Sequence, residues 1–154
     1  MITVSTRAAA GVYDDEAGPR LVEALTAAGF AVGPVVVVPD GRAVVAEALR
    51  DAIEQQPAVV VTTGGTGLHP RDETPEATSD VIDYRVEGIA EAMRVAACKI
   101  TPMGMLSRAT AGVADRTLIV NLPGSPKGAV ENLSVVLPVL AHAIDQLRGG
   151  DHSR

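Results

Sequence analysis

A chain of 154 residues, 47% of them hydrophobic, has the length and apolar content of one globular domain built on one core. Its 13 basic and 19 acidic side chains leave a net charge of −6, which argues against nucleic acid as the main partner, because affinity there comes from phosphate neutralisation by Lys and Arg. A single cysteine excludes an intrachain disulfide and a cysteine-rich metal site, and 2% aromatics without tryptophan leave Val, Ile, Leu and Ala to fill the interior.

The expected organisation is a single domain over residues 1–148 with a flexible tail at 149–154. Met1 leads directly into a strand-like run, without the basic, apolar and cleavage regions of a signal peptide. No apolar run reaches the roughly 20 residues that span a bilayer. A soluble cytoplasmic protein is expected, with no membrane partner. Cys98 is expected to pack as a small apolar side chain.

Short apolar runs rich in β-branched residues occur at Ile2–Ser5, Ala31–Val38, Ala58–Thr62 and Leu118–Leu122, and they read as buried strands. Between the first two, Pro19 fits a first helical turn, Leu21, Val22 and Leu25 share a face, and Gly29 supplies the stop. Asp40 opens a second helix, in which Val45, Leu49, Ala52 and Ile53 repeat at helical spacing until Gln56 and Pro57. Thr74, Pro75 and Glu76 read as N-cap, first turn and dipole-matched acid of a third helix, and Glu87–Ala97 continues helically. Ser107–Val120 has two readings: an irregular loop, or two short strands around Ala114-Asp115-Arg116 that would make the sheet mixed. From Pro126, Val130, Leu133, Leu137, Leu140, Ile144 and Leu147 form the stripe of a long closing helix, which Pro138 is expected to kink or break.

Strands alternating with helices predict an α/β fold with a mainly parallel, or mixed, sheet covered on both faces, because parallel neighbours need crossovers and crossovers bring helices. Ligands in such folds gather beyond the carboxyl ends of the strands. There the run Thr63-Gly64-Gly65-Thr66-Gly67 follows Ala58–Thr62, and glycines allow close approach of backbone N–H groups to phosphate oxygens. A plain tight turn is the alternative reading of any glycine pair; here flanking threonines add hydroxyl donors, and Arg71 and Asp72 follow closely. The loop has neither the G-x-G-x-x-G spacing of dinucleotide folds nor the G-K-[ST] ending of the Walker loop.

Thr62-Thr63-Gly64-Gly65-Thr66-Gly67, then Arg71-Asp72 and Thr74-Pro75-Glu76-Ala77, resembles the signature of the MogA/MoaB family, found also in the G domain of gephyrin. Ser5 to Gly18 resembles the family's first loop, Leu106-Ser107-Arg108 its Ser-Arg motif, and Asn121-Leu122-Pro123-Gly124-Ser125-Pro126-Lys127 its Asn-Leu-Pro-Gly-x-Pro turn. A shorter version of the glycine motif occurs in CinA-like proteins, whereas the Arg-Asp-x-Thr-Pro-Glu-Ala continuation favours the adenylyltransferases. The resemblance implies a three-layer α/β/α sandwich, a homotrimer or hexamer, and transfer of AMP from Mg-ATP to the terminal phosphate of molybdopterin with release of pyrophosphate. It also implies a downstream molybdenum-inserting enzyme that takes the product. A pterin-binding module without catalysis, and a CinA-like nucleotide hydrolase, are the rival readings.

On that resemblance Asp72 and Asp40 are the catalytic and magnesium-holding acids, hard oxygen ligands suited to a phosphate-bound cation. Asp40 equally suits a plain helix N-cap, and Asp72 a capping or Arg71-paired acid. The substrate contacts would be Thr63, Gly64, Gly65, Thr66, Gly67, Arg71, Ser107, Arg108, Pro123, Gly124, Ser125 and Lys127. Arg71, Arg108 and Lys127 are the cations expected to give an acidic protein its local positive field. No protein nucleophile is needed, because the substrate's own phosphate attacks. His69, His142 and His152 lack ligand spacing and read as non-catalytic; the cluster Asp14-Asp15-Glu16 reads as a solvated loop, with contact to metal as the alternative. Two positions depart from the family pattern: Thr6 stands where many relatives carry Asp, and Glu87-Gly88 replaces a frequent Pro-Gly.

Overall fold

Four of the β-branched runs associate in parallel, and two shorter strands extend them in the opposite sense. In the computed structural model, which describes residues 1–149, the elements are β1 (Ile2–Val4), α1 (Thr6–Ala9), α2 (Ala17–Ala27), β2 (Val36–Val38), α3 (Arg42–Glu54), β3 (Val59–Thr63), α4 (Thr74–Ser79), β4 (Tyr84–Arg85), α5 (Glu87–Ile100), a 3₁₀ turn (Pro102–Leu106), β5 (Ala111–Ala114), β6 (Thr117–Leu122) and α6 (Pro126–Leu147). The sheet order is β2-β1-β3-β6-β5-β4. Pairs β1–β2, β1–β3 and β3–β6 are parallel, and β5 runs antiparallel to both β6 and β4. The mixed sheet is thus the realised alternative for 107–120, with Asp115 in the left-handed region at the β5–β6 turn.

Alternation along the strands divides two apolar cores. Val61, Leu118, Val120 and Leu122 point to Leu21 and Leu25 of α2, Met93 of α5, and Leu133, Val136 and Leu140 of α6. Ile2, Val4, Val60 and Ile119 point the other way, to Val45 and Leu49 of α3 and Ala77 of α4. The result is three layers, with helices on both faces.

Several expectations are corrected. The Ala31–Val38 run pairs only over Val36–Val38, and as an edge strand it leaves Val36 and Val37 exposed at 49% and 38%. Gly41, not Asp40, caps α3, and Glu73, not Thr74, precedes α4, because both predicted caps turn their side chains to other partners. Cys98 is exposed, since α5 turns Ala90 and Met93 inward instead. Helix α6 runs unbroken through Pro138, whose exposed position lets the carbonyl of Ser134, itself exposed, face solvent. At 22 residues with mean hydropathy 1.2, α6 is also long and apolar enough to cross a bilayer by length and composition; its inner face packs on the first core. Of the predicted tail, Gly149 is described, and 150–154 lie outside the described residues.

Candidate functional site

The parallel strands all end on one side of the sheet, which gathers their outgoing loops. Beyond β1 lie Ser5–Arg7, beyond β2 Asp40, beyond β3 Gly64–Gly67, and beyond β6 Pro123–Ser125. Because β5 is antiparallel to β6, its incoming end carries Ser107 and Arg108 to the same edge. Chain direction across the sheet reverses at β1, which pairs with β2 on one side and β3 on the other. That is the switch point where open α/β sheets hold ligands.

Hydrogen bonds give the glycine loop a polarity. Its carbonyls are taken from within: Gly64 O by the Thr74 hydroxyl at 2.9 Å, Gly65 O by the Thr74 amide at 3.0 Å, Thr66 O by the Arg108 amide at 2.9 Å, and Gly67 O by Arg108 Nε at 2.7 Å. The Gly64 amide donates to Leu122 O at 3.1 Å, whereas the amides of Gly65, Thr66 and Gly67 have no acceptor among the described residues. Gly64 and Gly65 have φ of +103° and +63°, and a Cβ at either would overlap the Val4 carbonyl oxygen or the Thr74 hydroxyl. Successive unpartnered amides with carbonyls held behind them form a seat for anionic oxygen.

Two clefts open on either side of this loop. The first, about 550 Å³, is lined by residues that include Thr6, Arg7, Tyr13, Asp40, Thr63, Gly64, Gly65, Arg71 and Gly124. The second, about 430 Å³, is lined by Gly65, Thr66, Gly67, Asp72, Ser107, Pro123, Gly124 and Ser125, with an apolar wall from Ile100, Met103 and Leu106. Gly65 and Gly124 border both. Ser125 caps α6, accepting from the Gly128 amide at 3.3 Å, so the start of a long helix also faces the clefts and favours negative charge there.

The two acids expected to hold magnesium line different clefts, Asp40 the first and Asp72 the second. Asp40 Oδ2 accepts from the Thr6 amide at 2.9 Å and hydroxyl at 2.6 Å. Asp72 Oδ2 accepts from the His69 amide at 3.1 Å. In each carboxylate Oδ1 accepts no hydrogen bond among the described residues. No three His, Cys, Asp or Glu side chains among the described residues converge on one point. The set fits a cation that takes one carboxylate oxygen and otherwise binds phosphate and water, as magnesium does, and not a protein cage.

Of the three predicted cations, Arg71 lines the first cleft. Arg108 lines neither; its guanidinium donates to Gly67 O, Asp72 O and Glu76. Lys127 is 81% exposed and lies 3.7 Å from Glu131. Ser107 lines the second cleft while its hydroxyl accepts from the Ala109 amide at 3.3 Å. Away from the clefts, Arg42 and Asp80 tie α3 to α4 through two hydrogen bonds of 2.6 and 2.5 Å. Their mutual hydrogen bond holds the Asp80 carboxyl below its ordinary value and the Arg42 guanidinium above its own.

Three contributors escaped sequence reasoning. Thr74 is the strut behind the glycine loop, disguised by its helix-start context. Asp15, read as part of a solvated acidic loop, accepts from the Thr3 hydroxyl at 2.7 Å and from the Ala17 and Gly18 amides at the start of α2. Tyr13 edges the first cleft, held by a 2.9 Å hydrogen bond with Ser5 and by Arg7 at 4.8 Å over its ring; one aromatic in a loop carries no periodic signal.

The fold and loop define an α/β domain that presents backbone amides to negatively charged ligands at a sheet switch point. The family model for a probable molybdopterin binding domain matches residues 1–142. A molybdopterin adenylyltransferase of Helicobacter pylori is 38% identical over 154 residues, covering 97% of this chain and 86% of that protein. The molybdenum cofactor biosynthesis bifunctional protein of Synechococcus elongatus is 38% identical over 152 residues; the chain spans about half of that relative, 48% of its length. Among solved structures, the molybdopterin biosynthesis Mog protein from Mycobacterium ulcerans superposes with a TM-score of 0.89 at 49% identity, over 95% of each chain. The chain belongs to the molybdopterin-binding domain family.

Proposed function

We propose that the chain is a molybdopterin adenylyltransferase of molybdenum cofactor biosynthesis, with ATP and molybdopterin as substrates. The observation that carries this reading is a loop of unpartnered amides between two clefts that meet at Gly65 and Gly124. Two substrates can lie on either side of the loop with their phosphates against it. A terminal phosphate oxygen of the pterin attacks the α-phosphorus of ATP, the bond from that phosphorus to the bridging oxygen breaks, and pyrophosphate leaves. Positioning and charge stabilisation suffice for such a transfer. The amides of Gly65, Thr66 and Gly67 offset phosphate charge, with Arg71 at the first cleft and Ser107 and Ser125 at the second.

Asp72 and Asp40 would hold magnesium, which would supply neutralisation of phosphate charge. The reading extends to a cytoplasmic homotrimer or hexamer that passes its product to a molybdenum-inserting enzyme. The exposed apolar group Ile100, Met103, Met105 and Leu106 supports self-association.

Incubation with ATP, magnesium and molybdopterin is expected to give adenylylated pterin and pyrophosphate. Tight pterin binding without ATP-dependent product would select a binding module instead. Nucleotide hydrolysis without pterin would select a CinA-like hydrolase.

A further inference from the structure

We infer that Arg108 is a positioning residue and not a ligand contact, and that with Glu76 it fixes the conformation of the loop from Gly65 to Asp72 on which the function proposed above rests. Arg108 reaches this loop at three separate points. Its backbone amide donates to Thr66 O at 2.9 Å, Nε to Gly67 O at 2.7 Å, and Nη2 to Asp72 O. Its remaining terminal nitrogen, Nη1, pairs with Glu76 Oε1. Every nitrogen of the guanidinium is thereby engaged by the protein, and the residue lines neither cleft.

Its neighbours in sequence and space do line a cleft: Ser107 before it, and Gly67 and Asp72 through which it acts, all border the second. Arg108 therefore pulls the carbonyls of Gly67 and Asp72 away from that cleft. In a trans peptide a carbonyl and the next residue's amide point opposite ways, so the Arg108 amide at Thr66 O turns out the Gly67 amide of the seat, while the guanidinium at Gly67 O and Asp72 O fixes the two ends of the segment that follows it.

Glu76 is the anchor. It sits in the first turn of α4, beside the Thr74 that takes the Gly64 carbonyl, and the Arg108 guanidinium is the partner of its Oε1. Its other oxygen, Oε2, is buried and has no hydrogen-bond partner among the described residues. The carboxylate thus has the Arg108 guanidinium as its hydrogen-bond partner among the described residues, and loss of Arg108 leaves it unpaired, whereas loss of Glu76 frees the guanidinium end that it anchors. Lysine cannot substitute, because an ammonium is one point charge while the planar guanidinium fork reaches the two carbonyls and the carboxylate in fixed directions.

The test compares Arg108→Lys, Glu76→Ala, Glu76→Gln and the Arg108→Lys/Glu76→Ala double variant. Hydrogen exchange on the unliganded protein is expected to rise about tenfold or more in peptides covering 64–73 for Arg108→Lys and Glu76→Ala, with β3 and β6 peptides unchanged. Adenylyl transfer should fall by about tenfold or more in kcat in both, the double variant should lose no more than the worse single, and Glu76→Gln should recover most of the loss because its amide oxygen still accepts. Wild-type exchange and turnover in Glu76→Ala beside a collapse in Arg108→Lys would show a direct ligand contact and overturn the proposal. So would exchange that rises over the whole chain, the mark of a general strut. If the unaltered protein transfers no adenylyl group, the function proposed above fails, and the exchange arm alone still decides for or against the clamp.

Discussion

Replacing Gly64 with alanine tests the glycine loop at its most constrained point. The residue has φ +103°, and an added Cβ would overlap the Val4 carbonyl oxygen, a backbone atom of β1 that cannot rotate away. The left-handed backbone alone costs about 1–2 kcal/mol for alanine, and overpacking typically adds about 1–3 kcal/mol, so a loss of roughly 2–5 kcal/mol is expected. Gly88 provides the control: it lies in the first turn of α5, where an added methyl group would meet nothing within 4 Å, and Gly88→Ala should gain up to about 1 kcal/mol from helix propensity. Urea unfolding measures both as midpoint shifts at constant slope. A Gly64→Ala protein whose midpoint places it within about 1 kcal/mol of the parent would refute the claim that β1 and the loop are pressed together. Retained adenylyl transfer in that variant would further show that the amides tolerate displacement.

Asp72→Asn should lower adenylyl transfer at least about 100-fold, the scale of losing a group that stabilises charge in the transition state, while pterin binding measured by fluorescence persists; unaltered turnover removes the carboxylate from the reaction. Asn121 is fully buried, donating to the Thr62 and Thr78 hydroxyls at 3.0 and 2.9 Å and accepting from the Thr110 amide. Asn121→Ala strands three polar groups and should cost about 2–4 kcal/mol in urea unfolding; a cost near zero would mean that the network relaxes freely. For Asp80, held below its ordinary 3.8 first by the hydrogen bond from Arg42, the stabilisation is present above 3.8 and is lost as pH falls through the lowered folded value. Arg42→Ala should therefore have a slightly lower urea midpoint than the parent at about pH 6 and approach it below about pH 3, the gap being small because the pair is exposed. A gap that persists in acid contradicts the pairing.

What the sequence shows clearly is what repeats locally. Val60 and Val61, or Ile119 and Val120, announce strands by composition, and their flanking glycines and prolines mark the loops. The ends of the parallel strands, and so the neighbourhood of Thr63–Gly67 with Pro123–Ser125, follow from the α/β class alone. Hidden were facts that depend on register and partners. Nothing local tells that Ala31–Val35 would stay out of the sheet while Tyr84–Arg85 would join it, since edge pairing is decided by what lies beside the strand. Asp40 and Thr74 both satisfied the statistics of an N-cap, and both were drawn off by partners 34 and 10 residues away in sequence. Arg108 carried a charge suited to phosphate, and only its three-point engagement with Gly67, Asp72 and Glu76 shows where that charge is used.

This distribution of charge bears on how an acidic protein handles polyanions. The second cleft is lined by no Lys, Arg or His, yet it contains Asp72 and Glu131. Attraction for phosphate there must come from dipoles: the unpartnered amides of the glycine loop and the start of α6. Dipoles alone do not explain an acid at the same place, because a carboxylate beside a phosphate is repulsive in a site of low dielectric. A divalent cation would offset that repulsion, and each cleft has an acid with an oxygen that accepts no hydrogen bond among the described residues and would hold one, Asp40 in the first and Asp72 in the second. Amides facing the phosphate, together with a cation that such a carboxylate would hold, would leave the net charge of −6 no obstacle to binding.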